Sequence, residues 1–112
     1  MSFFLVFLGS LLRAEMRCQE AFQVLGLEGW KTATEILLMA EDSLNALNDE
    51  FKSSNLYREV RSSYLFVEGE IYYRTGNVPR ALKSLFVSLG IKQELLKKHI
   101  STTRCLNAIG NC

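Results

Sequence analysis

Apolar residues in this 112-residue chain return every three or four positions over almost its whole length. No stretch combines sustained apolar–polar alternation with paired turn signals. A half-buried strand needs a period of two and a helix face one near 3.6, so the pattern admits helices and little else. Ala33, Leu37, Ala40, Leu44 and Leu47 form one stripe, and Tyr57, Val60, Tyr64, Val67 and Ile71 a second. Ala81, Leu85 and Leu89, with Leu82 and Phe86 alongside, mark a third. The expected fold class is all-α.

Breaks fall where helix ends belong. Gly26 and Gly29 separate a first helix, running from around Leu11 or earlier, from one starting near Lys31. Thr32 and Glu35 have the spacing of a capping box at that start. The polar stretch from Asn48 to Asn55 makes the second break. At the third, Gly76 suits the left-handed turn after a helix, Asn77 the cap of the next, and Pro79 its first turn. A fourth is expected between Lys97 and Ser101, with Ser101 as N-cap. Glu70/Arg74 and Glu94/Lys98 stand at i,i+4 in the orientation that supports helices by a few tenths of a kcal/mol. Short turns force antiparallel neighbours. The architecture expected is stacked antiparallel helical hairpins, a partial α-solenoid of about five helices. Its units are 13–48, 55–98 and an incomplete 99–112, preceded by an apolar segment 1–12.

Hydrophobic residues make up 48% of the chain and proline occurs once, which argues against disorder. Thirteen Lys+Arg against twelve Asp+Glu leave +1, without a basic block, so no nucleic-acid partner is expected. Cys18, Cys105 and Cys112 form no C-x-x-C pair and read as reduced small apolar residues of a cytoplasmic protein. Ser2 to Leu12, SFFLVFLGSLL, is too short to span a bilayer as a helix. It resembles a signal-peptide core, but no Lys or Arg precedes it and no clear small-x-small site follows. A membrane role is therefore not expected. The alternative is a small secreted or membrane-associated helical protein exported by residues 2–12.

The sharpest signal is Tyr64 to Leu89, YLFVEGEIYYRTGNVPRALKSLFVSL. It resembles a nearly complete tetratricopeptide repeat (TPR). Gly69 and Tyr72 fall where that family places a small residue and an aromatic on the first helix, and Gly76 matches the turn glycine. Ala81 matches the small residue opening the second helix, and Leu85 the large apolar one a turn later. Ser88 stands where a second alanine is usual, and Leu65 replaces the commoner tryptophan. Small side chains at Gly69 and Ala81 would let two helix axes approach closely. His99 to Gly110, HISTTRCLNAIG, is similar to the longer kinesin-light-chain and nephrocystin type of repeat, with Ile100 in place of the usual proline. The interval from Gly69 to Gly110 exceeds the roughly 34 residues of a standard repeat. Upstream, Ala33, Leu37 and Ala40 give a third, irregularly spaced unit with Ala21. A repeat halted mid-helix would expose an apolar face, so the resemblance implies a fragment of a longer array, with self-association through uncapped ends.

The resemblance implies a scaffold that binds a protein or peptide partner through a concave face lined by the first helix of each hairpin. Projection of the motif puts Ser63, Phe66, Glu70, Tyr73 and Arg74 on that face, followed by Arg104, Asn107 and Asn111. The bland alternative is that these are ordinary half-exposed helix residues. Phe66 stands where a carboxylate-clamping repeat would want lysine, which disfavours chaperone tails as ligands. Catalytic signatures are missing from the sequence. His99, read as a turn residue, has no metal-ligating neighbour at suitable spacing, and Cys105 with His99 is better explained by the repeat. The glycines form neither a dinucleotide fingerprint nor a P-loop, and Glu41-Asp42 reads as a solvated helix face. No enzyme activity, cofactor or metal is expected.

Overall fold

The computed structural model describes the backbone of residues 3–109 and the side chains of residues 5–99. The protein is all-α. Among the described residues there are four α-helices, α1 (Phe3–Leu27), α2 (Trp30–Asn45), α3 (Asn55–Arg74) and α4 (Val78–Ile109), and one 3₁₀ turn at Asp49–Phe51.

α1 exists because Phe7, Leu11, Ala14, Cys18, Ala21 and Leu25 repeat at intervals of four and three, and all six are buried. It starts well before Leu11, and the N-terminal apolar run enters the core at Phe7 and Leu11, with Phe7 stacked on Phe51 at a centroid distance of 4.6 Å, while Leu5, Val6 and Leu12 are exposed. Gly29, at φ 107°, turns the chain through a conformation that favours glycine and sets α2 back against α1. The Thr32–Glu35 capping box does not form. Helix α2 begins at Trp30 with Gly29 as its cap, so Thr32 already lies inside the first turn. Ala33, Leu37, Ala40 and Leu44 then face α1 as their spacing requires. The paired stripes are Ala- and Leu-rich, which lets the two axes approach closely.

Ser54 caps α3 by accepting the Tyr57 N–H at 3.1 Å. At its far end Gly76 adopts φ 86°, and the N–H groups of Gly76 and Asn77 close on the carbonyls of Tyr73 and Tyr72. The Asn77 Oδ1 then accepts the Arg80 N–H at 3.4 Å and starts α4. This turn follows the sequence expectation residue by residue. Helix α3 packs on both helices of the first hairpin, whereas α4 packs chiefly on α3.

Other expectations are corrected as well. The break between Lys97 and Ser101 does not occur, and the helix expected after it is the end of α4, giving four helices rather than about five. Neither glycine nor proline interrupts the chain there, and extending an existing helix costs far less than nucleating a new one. His99 accordingly lies in a helix rather than a connection. The third stripe is also displaced. Ala81 is buried, but its companions on the buried face are Ser84 and Ser88, with Leu85 half-buried. Leu82, Phe86 and Leu89 are exposed.

The register of α4 is set by close contacts. A Cβ on Gly69 would lie 2.7 Å from Leu85 Cγ and 3.2 Å from the Ala81 carbonyl oxygen, so the small residue is required there. Ser88 Oγ donates to the Ser62 carbonyl at 2.8 Å, while Ser62 Oγ lies 3.2 Å from the Ser88 carbonyl, both buried. Ser84 Oγ donates to Glu68 Oε1 at 2.8 Å. Glu94, expected to pair with Lys98, instead pairs with Arg58 of α3, which lowers its carboxyl pKa; Lys98 donates to Asn55. Among the described residues no helix is long and apolar enough to cross a membrane.

Candidate functional site

A groove of about 330 Å³ runs between α1 and α3. Its floor is Cys18 and Val67, both buried because they belong to the core stripes of their helices. Its walls are Phe22 of α1 and Phe66 of α3, whose rings are 5.7 Å apart and tilted at 41°. Lys92 of α4 closes one side with its ammonium 5.0 Å from the Phe66 ring centroid, a cation–π contact that also keeps the charge at the rim.

The polar edge is built around Glu15. Its Oε1 accepts from Ser63 Oγ and Gln19 Nε2, each at 3.3 Å. Its Oε2 is buried and has no hydrogen-bond partner among the described residues. A carboxylate oxygen out of water without a donor is costly. The Cys18 thiol beneath it is pushed up to about 12 from 9.0 by burial, with the Glu15 charge adding and the Arg61 guanidinium opposing. At neutral pH it is a protonated, unreactive thiol that fills space.

The structure brings together only part of the expected face. Ser63 and Phe66 line the groove. Glu70, Tyr73 and Arg74 continue the same strip of α3 beyond it, with Tyr73 64% exposed. Of Arg104 and Asn107 only the backbone is described, within α4; Gly110 and Asn111 lie outside the described residues. Tyr64, on the α3 stripe, is buried, and Tyr72, the motif aromatic, is half-buried beneath Arg80. Sequence reasoning missed Glu15, Gln19, Phe22 and Lys92, which arrive from other helices. The available signal was Phe22 itself, a large aromatic lying just off the Cys18–Ala21–Leu25 stripe.

On the opposite flank of α3 a second cavity, of about 440 Å³, opens against α2. Leu37 and Ile71 form its floor, Trp30, Leu38 and Tyr72 its mouth, and Glu41 and Glu68 its only charges. The Tyr64 hydroxyl donates to Glu41 Oε2; burial first, and then this bond, raise the phenol pKa well above its ordinary 10.0. Glu41 is thus half-buried and hydrogen-bonded, not part of a solvated face, while Asp42 is exposed. Among the described residues no ion pair engages Glu41 or Glu68.

Fold and groove together define an all-α protein of helical hairpins with an apolar cleft between helices. No protein-family model matches the chain, and no curated protein or solved structure matches it.

Proposed function

We propose that the protein is an interaction module, TPR-like in its second hairpin, that holds a peptide or protein segment in the α1–α3 groove. The observation that carries this reading is the pairing of Phe22 and Phe66 at the walls of a groove whose polar edge is formed by Glu15, Ser63 and Lys92. Aromatic anchors supply affinity when a partner excludes water from them, and polar groups fix register. Lys92 adds preference for a segment carrying an acidic residue near its anchor. Gly69 against Leu85 and Ala81 supports the TPR-like element, since that motif needs a close approach at these positions. The stripe from Glu70 to Arg74 would extend the contact along α3.

Selection of random peptides on the purified chain tests the reading. Enriched peptides should share an apolar anchor and bind Phe66→Ala roughly tenfold or more weakly, with helical content unchanged. Enrichment indifferent to Phe66→Ala and Phe22→Ala, or none at all, would overturn it.

A further inference from the structure

Helix α4 carries a second apolar face that none of the described residues covers. Leu82, Phe86, Leu89 and Leu96 recur at intervals of four, three and seven, one strip along the helix, and all are exposed. Phe86, at 67% exposure, is the most prominent. The helix is basic: from Val78 to His99 it carries Arg80, Lys83, Lys92, Lys97 and Lys98 against Glu94 alone. Exposed apolar strips of this extent mark contact surfaces.

The complementary surface is at the other edge of the same molecule. Helix α2 carries Glu35, Glu41 and Asp42 against Lys31, and its outward side chains include Trp30 and Leu38. Between α2 and α3 lies the 440 Å³ cavity, large enough to accept an aromatic side chain, with an apolar floor and the carboxylates of Glu41 and Glu68, each hydrogen-bonded to a hydroxyl but in no ion pair among the described residues. Lys31, Arg61 and Arg80 lie over the Trp30, Tyr64 and Tyr72 rings, but none of the three lines the cavity.

We infer that the occupant of both surfaces is a second copy of this chain: α4 of one molecule docks on the α2–α3 edge of the next, Phe86 entering the cavity and Lys83, one turn earlier, approaching its carboxylates. An apolar knob on one edge and a hole on another make a head-to-tail contact, which leaves a free knob and a free hole after each addition. The association therefore propagates unless a ring closes. It uses neither Phe22 nor Phe66 and so stands apart from the peptide groove.

The test blocks each surface separately on the intact chain, at positions exposed enough to leave the fold alone. Phe86→Asp removes the knob and Leu38→Arg obstructs the hole. Sedimentation velocity of the unaltered chain over a wide concentration range should show assembly that grows with concentration and weakens as salt is raised. Each variant alone should be monomeric, its association weakened by roughly tenfold or more. An equimolar mixture should give a 1:1 dimer and nothing larger, because one intact knob meets one intact hole. An unaltered chain that stays monomeric throughout overturns the inference. So does a Leu38→Arg chain that still self-associates, the signature of α4 pairing with itself, or a mixture that stays monomeric.

Discussion

The two hairpins solve one packing problem with different chemistry. In the first, α1 and α2 meet through Ala14, Cys18 and Ala21 against Ala33, Leu37, Ala40 and Leu44, an interface without a buried hydrogen bond between side chains among the described residues. In the second, α3 and α4 meet through Gly69, Ala81 and Leu85 plus the hydroxyls of Ser62, Ser84 and Ser88. An apolar interface tolerates small slips of register, since dispersion and water exclusion carry no direction. A hydroxyl interface does not, because a shift of one residue leaves buried donors unpaired. The first hairpin supplies most of the core, completed by Val60, Tyr64, Val67 and Ile71 of α3; the second fixes where α4 stands, and so which of its faces looks outward.

That contrast can be broken from the apolar side first. Leu44 is wholly buried, and Leu44→Ala should cost about 2–5 kcal/mol, read as a shift of the urea midpoint with the slope unchanged. A loss below about 1 kcal/mol would mean that the first hairpin is not the stabilising half. On the other side, Ser62→Ala or Ser88→Ala alone should cost about 1–3 kcal/mol, while the double replacement should cost less than the two together. Strictly additive costs would show that the serines fill space without bonding. The smallest effect at neutral pH becomes visible in alkali. Cys18 in the first hairpin and Tyr64 in the second both have raised pKa values, so the folded state holds protons that the unfolded chain releases. Their contribution to stability is therefore complete below pH 9.0 and falls as pH rises toward about 12, by at most roughly 1.4 kcal/mol per pH unit for each group. Urea midpoints measured through this range should decline, and Cys18→Ala should flatten the decline; a midpoint that rises with pH contradicts the assignment.

Much of the fold was legible in the residues. The α2 and α3 stripes and the Gly76–Asn77 turn follow from local spacing and from what a single side chain permits, while the approach of Gly69 to Ala81 was implied by the resemblance to a tetratricopeptide repeat. The site was half legible. Ser63 and Phe66 could be placed on one face of α3 from their spacing, but Glu15, Phe22 and Lys92 are distant in sequence, and no local pattern says which helices share a groove. The outward face of α4 was misassigned for a related reason. Leu82, Phe86 and Leu89 are the more hydrophobic choice for burial, and periodicity ranks faces by hydropathy.

By itself, then, the sequence determined that this chain is helical, where three of its helices turn, and which residues are small enough to let helices touch. Only the tertiary structure decided that α4 runs unbroken, that serines rather than leucines face α3, and that an aromatic groove and an acidic cavity lie on opposite flanks of one helix. The reason is physical: helix formation depends on interactions within a few residues, whereas the rotation of a helix about its axis is chosen by contacts with partners far away in the chain.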